Sequence, residues 1–155
     1  MDIRPIAPAD RAALVALLDR IENFSPDEVR CALAVIDQAL QPNNGDYSVL
    51  VAQRDGQLVG YVAYGPSPMT EGTYDLHWIA SEPAYRGKGV GAGLIASMEA
   101  DLRRRTARLV RVETSATEDY GPARGFYQSM RYHEESRFRD FYRPGDDLIL
   151  LKKKL

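Results

Sequence analysis

The residues best suited to chemistry form a basic, glycine-rich turn between a predicted strand and a predicted helix. The turn reads Arg86-Gly87-Lys88-Gly89-Val90-Gly91, and an amphipathic pattern begins as it ends. The first N–H groups of a helix have no acceptor inside the helix, so they can bind an anion, and the helix dipole adds about 0.3–1 kcal/mol at an exposed site. Glycines leave the approach of a phosphate open, while Arg86 and Lys88 add positive charge. The turn therefore predicts a binding site for a ligand that carries a pyrophosphate.

The spacing of the glycines distinguishes three kinds of phosphate-binding loop. A Walker A loop needs Ser or Thr after its Gly-Lys pair, whereas Lys88 is followed by Gly89. A Rossmann fingerprint needs its glycines directly after the strand, whereas residues 81–85 separate strand and glycines here. The pattern that fits is Arg-x-x-Gly-x-Gly, from Arg86 to Gly91.

This order of strand, basic glycine loop and helix resembles the acetyl-CoA loop of the GNAT superfamily of N-acetyltransferases. The resemblance implies an acyltransferase that uses acetyl-CoA as co-substrate without a metal and acts on an amine of a small molecule or peptide. It also implies that the loop holds the pyrophosphate and that the pantetheine arm pairs with the end of the preceding strand. The cofactor-binding residues implied in this way are Ile79, Ala80, Ser81, Arg86, Gly87, Lys88, Gly89, Val90, Gly91, Ala92 and Tyr127.

Transfer to an amine requires removal of a proton, because an alkyl amine with a pKa near 10.4 is mostly protonated at pH 7. Asp75 lies on the fourth strand where members of the superfamily that use a carboxylate base carry it. His77 is the alternative, since its ordinary pKa near 6.5 suits proton transfer. Glu71 and Glu113 are more distant candidates, and a purely structural role for Asp75 and His77 remains open as well.

Strand geometry predicts which side chains accompany these two candidates, because alternate residues of a strand share a face. One face is expected to carry Asp75, His77, Ile79 and Ser81, and the other Tyr74, Leu76, Trp78 and Ala80.

A second motif, Ala123-Arg124-Gly125-Phe126-Tyr127, matches the superfamily pattern Ala-x-x-Phe-Tyr. The resemblance implies that the Tyr127 hydroxyl lies near the sulfur and protonates the leaving thiolate. A tyrosine that only packs its ring on the sheet is the alternative.

Two positions depart from the superfamily pattern. Tyr120 stands where relatives often have an Asn that contacts the cofactor, and Arg131-Tyr132 replaces the usual Gly-Phe after the helix. Glycine commonly supplies a left-handed helix end, so Arg131 predicts a different exit. These departures leave open a catalytically silent acyl-CoA-binding sensor or regulatory domain, and a nucleotide-binding module ranks third.

The elements that must position these residues are predicted from periodicity and from capping signals. Asp10 is the expected cap of the first helix, and Ser25-Pro26-Asp27-Glu28 has the form of a capping box. Asp55-Gly56 predicts a tight hairpin, whereas residues 65–72 are expected to be irregular. Strands are predicted at 3–6, 47–53, 57–64, 74–81, 109–113, 132–141 and 147–151, and helices from Asp10, at 26–40, from the glycine loop to 105, and at 122–130.

The predicted fold class is therefore α/β with a mixed sheet, in the order β-α-α-β-β-β-α-β-α-β-β, as a single domain over residues 1–155. This is the element order of the superfamily. The resemblance, and not the residue pattern, implies a sheet that splays open between its fourth and fifth strands.

Composition limits the class of protein and the partners. The 155 residues are 45% hydrophobic and 27% charged with a net charge of −2, which indicates one globular domain without the basic field that nucleic acid needs. The single cysteine, Cys31, cannot form an internal disulfide, and no apolar run of ~18 residues is present, so a cytoplasmic protein with no membrane partner is expected. A homodimer is compatible with the resemblance. The candidates for an acidic entrance that would favour cationic amines are Glu22, Asp27, Glu71, Glu118 and Asp119.

Overall fold

The fold is built on a single seven-stranded sheet, seen in a computed structural model that describes all 155 residues. The strand order is β1-β2-β3-β4-β5-β7-β6, and only β4 and β5 run parallel to one another. This architecture confirms the mixed α/β fold class and the predicted element order. The strands are β1 Asp2–Pro5, β2 Ser48–Arg54, β3 Gln57–Pro66, β4 Thr73–Ser81, β5 Leu109–Ser115, β6 His133–Arg143 and β7 Asp146–Lys154, and the helices are α1 Arg11–Asp19, α2 Pro26–Ala39, α3 Val90–Arg104 and α4 Gly121–Ser129.

Each face of the sheet carries its own hydrophobic core. The first core packs α3 and α4 on one face, and the second packs α1 and α2 on the other. Strand β3 serves both, since Val62 and Tyr64 lie in the first core while Tyr61 and Ala63 lie in the second. No helix combines the length and the apolar character needed to cross a bilayer.

The parallel pair β4 and β5 separates halfway along its length. Residues 73–76 of β4 pair with residues 109–112 of β5, and the pairing stops there. Beyond Leu76, β4 keeps its partner β3 but has no strand on its other side, while β5 continues to pair with β7 as far as Ser115. The splay implied by the resemblance is thus confirmed, and it exposes the backbone of residues 77–81 along one edge.

A β-bulge in β4 lies directly at this point. Ala63 pairs with Trp78 but Tyr64 pairs with Leu76, so His77 is an extra residue in the ladder. The predicted alternation is therefore wrong beyond Leu76: Leu76 and Ile79 both pack in the first core, whereas Trp78 and Ala80 belong to the second. A bulge has this effect because the inserted residue shifts all that follow to the opposite face.

Several local predictions are confirmed, and two need correction. Ser25 and Glu28 form the capping box of α2, and Asp55 and Gly56 make a turn with positive φ at both positions. The Asp10 side chain makes no capping hydrogen bond to α1. Its carboxylate instead accepts the Ala7 N–H at 2.7 Å and forms an ion pair with Arg4. The irregular linker is shorter than predicted because β3 runs on to Pro66.

The exit from α4 also differs from the prediction. Arg131 adopts φ +68°, and the Tyr132 N–H reaches back to the Tyr127 carbonyl at 2.9 Å. The helix therefore ends in the left-handed geometry that glycine usually supplies, with an arginine bearing the conformational cost. The prediction that α4 ends in a different geometry is therefore wrong.

Candidate active site

The glycine loop presents a row of unpaired backbone N–H groups at the start of α3. Gly89 is the N-cap residue with φ +85°, and Gly87 has φ +74°. No heavy atom lies within 4 Å of where a Cβ would stand at either glycine. The N–H groups without an acceptor in the chain are those of Gly87, Gly89, Val90, Gly91 and Ala92. This arrangement can bind an oxyanion through the backbone alone.

Positive side chains surround the loop. The Lys88 ammonium lies 5.1 Å from the centre of the Tyr85 ring, and the Arg54 guanidinium lies 5.6 Å from it. Arg54 also donates to the Lys88 carbonyl at 3.4 Å, and Arg86 is exposed. Sequence reasoning missed Arg54, because the β2–β3 hairpin that carries it lies 34 residues before Lys88.

The glycine at position 91 has a different structural reason from those at 87 and 89. A Cβ on Gly91 would lie 3.0 Å from the ring of Phe126. Gly91 thus lets α3 approach α4 closely, in addition to offering its N–H at the helix start. The expectation that every glycine keeps the ligand approach open holds only for Gly87 and Gly89.

The open edge of β4 leads directly into this loop. Ile79 packs beside the first core, Ala80 is buried in the second, and Ser81 is half-buried at the end of the strand. Successive residues of a strand direct their N–H and C=O groups to opposite edges, so along residues 77–81 some of these groups pair with β3 and the others face the gap that β5 has left. An extended ligand chain can pair there as an added strand would.

Asp75 lies in the part of β4 that still pairs with β5, one residue before the two strands separate. Its Oδ1 accepts the Ser67 hydroxyl at 2.7 Å and the Arg111 Nε–H at 2.7 Å. Asp75 is buried, and Arg111 stands directly across from it on β5. The carboxylate is tied to the neighbouring strand at the point where the gap begins.

His77 lies at the bulge, at the start of the open edge. Its imidazole is half-buried, packs edge-on against the Tyr47 ring at 5.3 Å and has no hydrogen-bond partner in the chain. Burial lowers the pKa of His77. The charge of Asp75 opposes this shift, the charge of Arg111 adds to it, and the charge of Glu113 opposes it more weakly. The neutral imidazole can accept a proton at pH 7.

The remaining base candidates lie apart from one another. Glu113 is half-exposed on β5, with its nearest cationic atom, on Arg111, 3.9 Å away. Glu71 is exposed in the linker before β4, at the end of the pair where β4 and β5 are still joined. Of these two carboxylates, only Glu113 contributes to the pKa shift of His77.

Tyr127 projects from α4 into the first core, beside the rings of Phe126 and Tyr132 at 5.6 and 6.0 Å. Tyr127 as a whole residue is 7% exposed. The hydroxyl has no partner in the chain, and unlike that of Tyr61 it is not sealed from solvent. Burial raises the pKa of Tyr127, so the phenol stays protonated well above neutrality.

Tyr120 does not extend along the cofactor loop. Its hydroxyl donates to Oε2 of Glu28 on α2 at 2.8 Å. This contact was not expected from sequence, because 92 residues separate Glu28 from Tyr120.

A protein-family model and several solved structures are similar to this chain. The family model described as "Acetyltransferase (GNAT) family" matches residues 14–132. No curated protein matches the chain. A crystal structure of a protein from Desulfovibrio desulfuricans, described as an acetyltransferase of the GNAT family, is 34% identical with a TM-score of 0.94, over 99% of this chain and 98% of that one.

Two further solved structures share the fold. The ribosomal-protein-alanine N-acetyltransferase from Brucella melitensis is 25% identical with a TM-score of 0.79 over the full length of both chains. An aminoglycoside 6'-N-acetyltransferase in complex with coenzyme A has a TM-score of 0.78 at 16% identity, over 99% of this chain and 97% of that one. The matched family model and the 34% identical relative show that the chain is a GNAT-type N-acetyltransferase and belongs to the GNAT acetyltransferase family.

Proposed function

We propose that this enzyme moves an acetyl group from acetyl-CoA to a primary amine of a small molecule or peptide by direct attack on the thioester. One observation carries the proposal: the open edge of β4 from His77 to Ser81 runs straight into a loop of unpaired N–H groups. An extended arm and a diphosphate follow one another in the same order in coenzyme A. The acceptor stays defined only by class.

The residues present fit that co-substrate. Gly87 and Gly89 leave open space beside free N–H groups, and Lys88 and Arg86 supply charge for a diphosphate. The backbone of Ile79, Ala80 and Ser81 offers the pairing edge, and Val90, Gly91 and Ala92 complete the helix start. Acetyl-CoA, when bound, supplies the thioester carbon that the amine attacks and the thiolate that leaves.

His77 is the proposed base. Its imidazole is neutral, has no competing hydrogen bond and lies where the gap opens. Asp75 remains the alternative, with one oxygen already engaged by Ser67 and Arg111. In this proposal Asp75 fixes the point at which β4 and β5 part. His77 takes a proton from the bound ammonium, directly or through water, and the neutral amine that results attacks the thioester carbon.

Tyr127 is the proposed acid. A hydroxyl that stays protonated and has no partner within the protein is free to give its proton to a sulfur placed beside it. The ring contacts with Phe126 and Tyr132 fix its direction.

The test combines calorimetric titration of coenzyme A with a thiol-release assay on acetyl-CoA and a panel of primary amines that includes lysine and short peptides. The proposal expects saturable CoA binding and release of thiol that depends on the amine. Binding without release on any amine would favour the silent acyl-CoA-binding domain. ATP or NAD displacing CoA from the loop would favour a nucleotide-binding module.

A further inference from the structure

A single hydrogen bond crosses the opening between β4 and β5. Tyr120 lies between β5 and α4, and Glu28 lies in the first turn of α2. Because α4 packs in the first core and α2 in the second, the bond joins elements from opposite faces of the sheet. The segment just before α2 also contacts the open part of β4, since the Phe24 ring packs edge-on against the Trp78 ring with 5.6 Å between the ring centres. We call the Tyr120–Glu28 contact the bridge.

The Glu28 end of the bridge is fixed by local structure. Glu28 Oε1 accepts the Ser25 N–H at 3.2 Å, and the Ser25 hydroxyl accepts the Glu28 N–H at 3.1 Å. The capping box therefore holds the carboxylate at a defined place while its other oxygen takes the Tyr120 proton. Each carboxylate oxygen accepts one hydrogen bond within the chain, so each keeps accepting capacity for a ligand.

A wall of aromatic and acidic side chains lies within electrostatic range of the bridge. Tyr142 is 43% exposed and packs edge-on against Phe141, which is 48% exposed. Burial raises the pKa of Tyr142, and the charges of Glu113, Asp146 and Glu28 raise it further.

The tip that carries this aromatic pair is held firmly. Asp140 adopts φ +54°, its carboxylate accepts the Gly145 N–H at 2.8 Å, and its own N–H donates to Asp147 at 2.9 Å. A left-handed aspartate bonded on both sides fixes the chain on either side of Phe141 and Tyr142. Two large aromatic rings are thus kept exposed at this end of β6.

We propose that the bridge determines acceptor specificity by admitting a slender, unbranched primary alkylammonium group, as at the end of a lysine side chain or an aliphatic amine. The inference rests on the proposed function and names the substrate class of the same site. In this proposal Glu28 accepts N–H bonds from the ammonium, and the faces of Tyr120 and Tyr142 suit a cation. Because the Tyr120 ring is tethered to Glu28 across the opening, it should obstruct a branched or cyclic carbon next to the nitrogen more than an unbranched one.

The shape test compares n-hexylamine with cyclohexylamine, which carry the same charge. The wild type should favour n-hexylamine in kcat/KM by at least about tenfold. Tyr120→Ala should reduce that preference to about threefold or less, mainly by lowering the KM of cyclohexylamine, while Tyr120→Phe keeps the ring without its tether and should fall in between. Either no preference in the wild type or an unchanged preference in Tyr120→Ala would overturn the inference.

The charge test uses Glu28→Gln, whose amide oxygen can still accept the Ser25 N–H of the capping box. It should raise the KM of n-hexylamine by about tenfold with kcat unchanged, and weaken calorimetric binding of n-hexylamine to the CoA-loaded enzyme to the same extent. The matched control is Glu118→Gln, an exposed carboxylate in the same turn as Tyr120. An equal effect of both variants would show a diffuse field and would overturn the role of Glu28.

These outcomes separate the inference from the proposed function. Transfer to amines with an unaltered shape preference in Tyr120→Ala overturns the inference alone. Absence of transfer to every amine, with CoA still bound, overturns both.

Discussion

The two sides of the gap are built in different ways. On the cofactor side, the open edge of β4 and the glycine loop are one continuous stretch, and they offer mostly backbone groups. On the acceptor side, the bridge and its wall come from α2, β5, the turn before α4 and the β6–β7 tip, and they offer side chains.

Because of this difference, we expect the cofactor side to tolerate many side chains and the acceptor side to depend on specific ones. A ligand held by backbone N–H groups constrains few side chains beyond glycine at positive φ. A ligand held by side chains from four elements depends on each of them, so we expect acceptor specificity to reside there. Variants should accordingly change KM for acetyl-CoA on one side and for the amine on the other.

The largest expected effect comes from Tyr127, which stands between the two sides. Tyr127→Phe removes only the hydroxyl, so we expect kcat to fall by about 100-fold or more while CoA affinity stays within about twofold. Stopped-flow thiol release and calorimetry measure the two quantities. Equal losses in kcat and in CoA affinity would mean that Tyr127 acts through packing.

The next effect concerns His77 and pH. Because burial lowers the pKa of His77, the imidazole gains its proton only below its ordinary value near 6.5, and kcat/KM should fall as the pH drops through that lower range. His77→Gln should remove this acid limb and lower kcat by about 100-fold.

Asp75→Asn is the matched variant for the base. If His77 is the base, Asp75→Asn keeps the acid limb and lowers mainly the stability, because the Arg111 charge loses its partner. If Asp75→Asn instead abolishes the acid limb while His77→Gln retains it, the assignment of the base is reversed.

A smaller effect tests the loop. The double change Arg86→Ala with Lys88→Ala should raise the KM for acetyl-CoA by about tenfold or more, since both charges are expected to face the diphosphate. The KM for S-acetylpantetheine, which lacks the diphosphate, should not change, and neither should the KM of the amine. Lys154→Ala, at an exposed lysine without an ion pair, is the control. Equal losses with both thioesters would contradict the assignment.

The smallest expected effect is on folding stability, with no change in binding on either side of the gap. Arg131 sits in the left-handed region, so Arg131→Gly should raise the free energy of unfolding by about 0.5–1 kcal/mol, less whatever glycine adds to the entropy of the unfolded chain. Denaturant unfolding measures it, and all KM values should stay the same. A destabilised protein would show that the Arg131 side chain contributes contacts that outweigh the strain.

The contiguous features were predictable from the sequence because their signals are local. The capping box at Ser25, the turn at Asp55-Gly56 and the loop from Arg86 each depend on a few neighbouring residues. The bulge at His77 was not predictable, because it depends on how β4 aligns with β3, and it reversed the predicted faces of the strand.

Long-range contacts account for the rest of what sequence reasoning missed. Glu28 and Tyr120 are 92 residues apart, and only the folded chain brings them together. The expected acidic entrance named residues by sequence position and stays a prediction. Side chains supplied by separate elements leave no pattern in a single sequence.

Hydrogen exchange of the backbone amides tests the central claim most directly. The account predicts that coenzyme A slows exchange at Gly87, Gly89, Val90, Gly91 and Ala92 and at those amides of residues 77–81 that face the gap, while the Asp55-Gly56 turn exchanges as before. Saturating CoA binding without protection at the loop amides would contradict it.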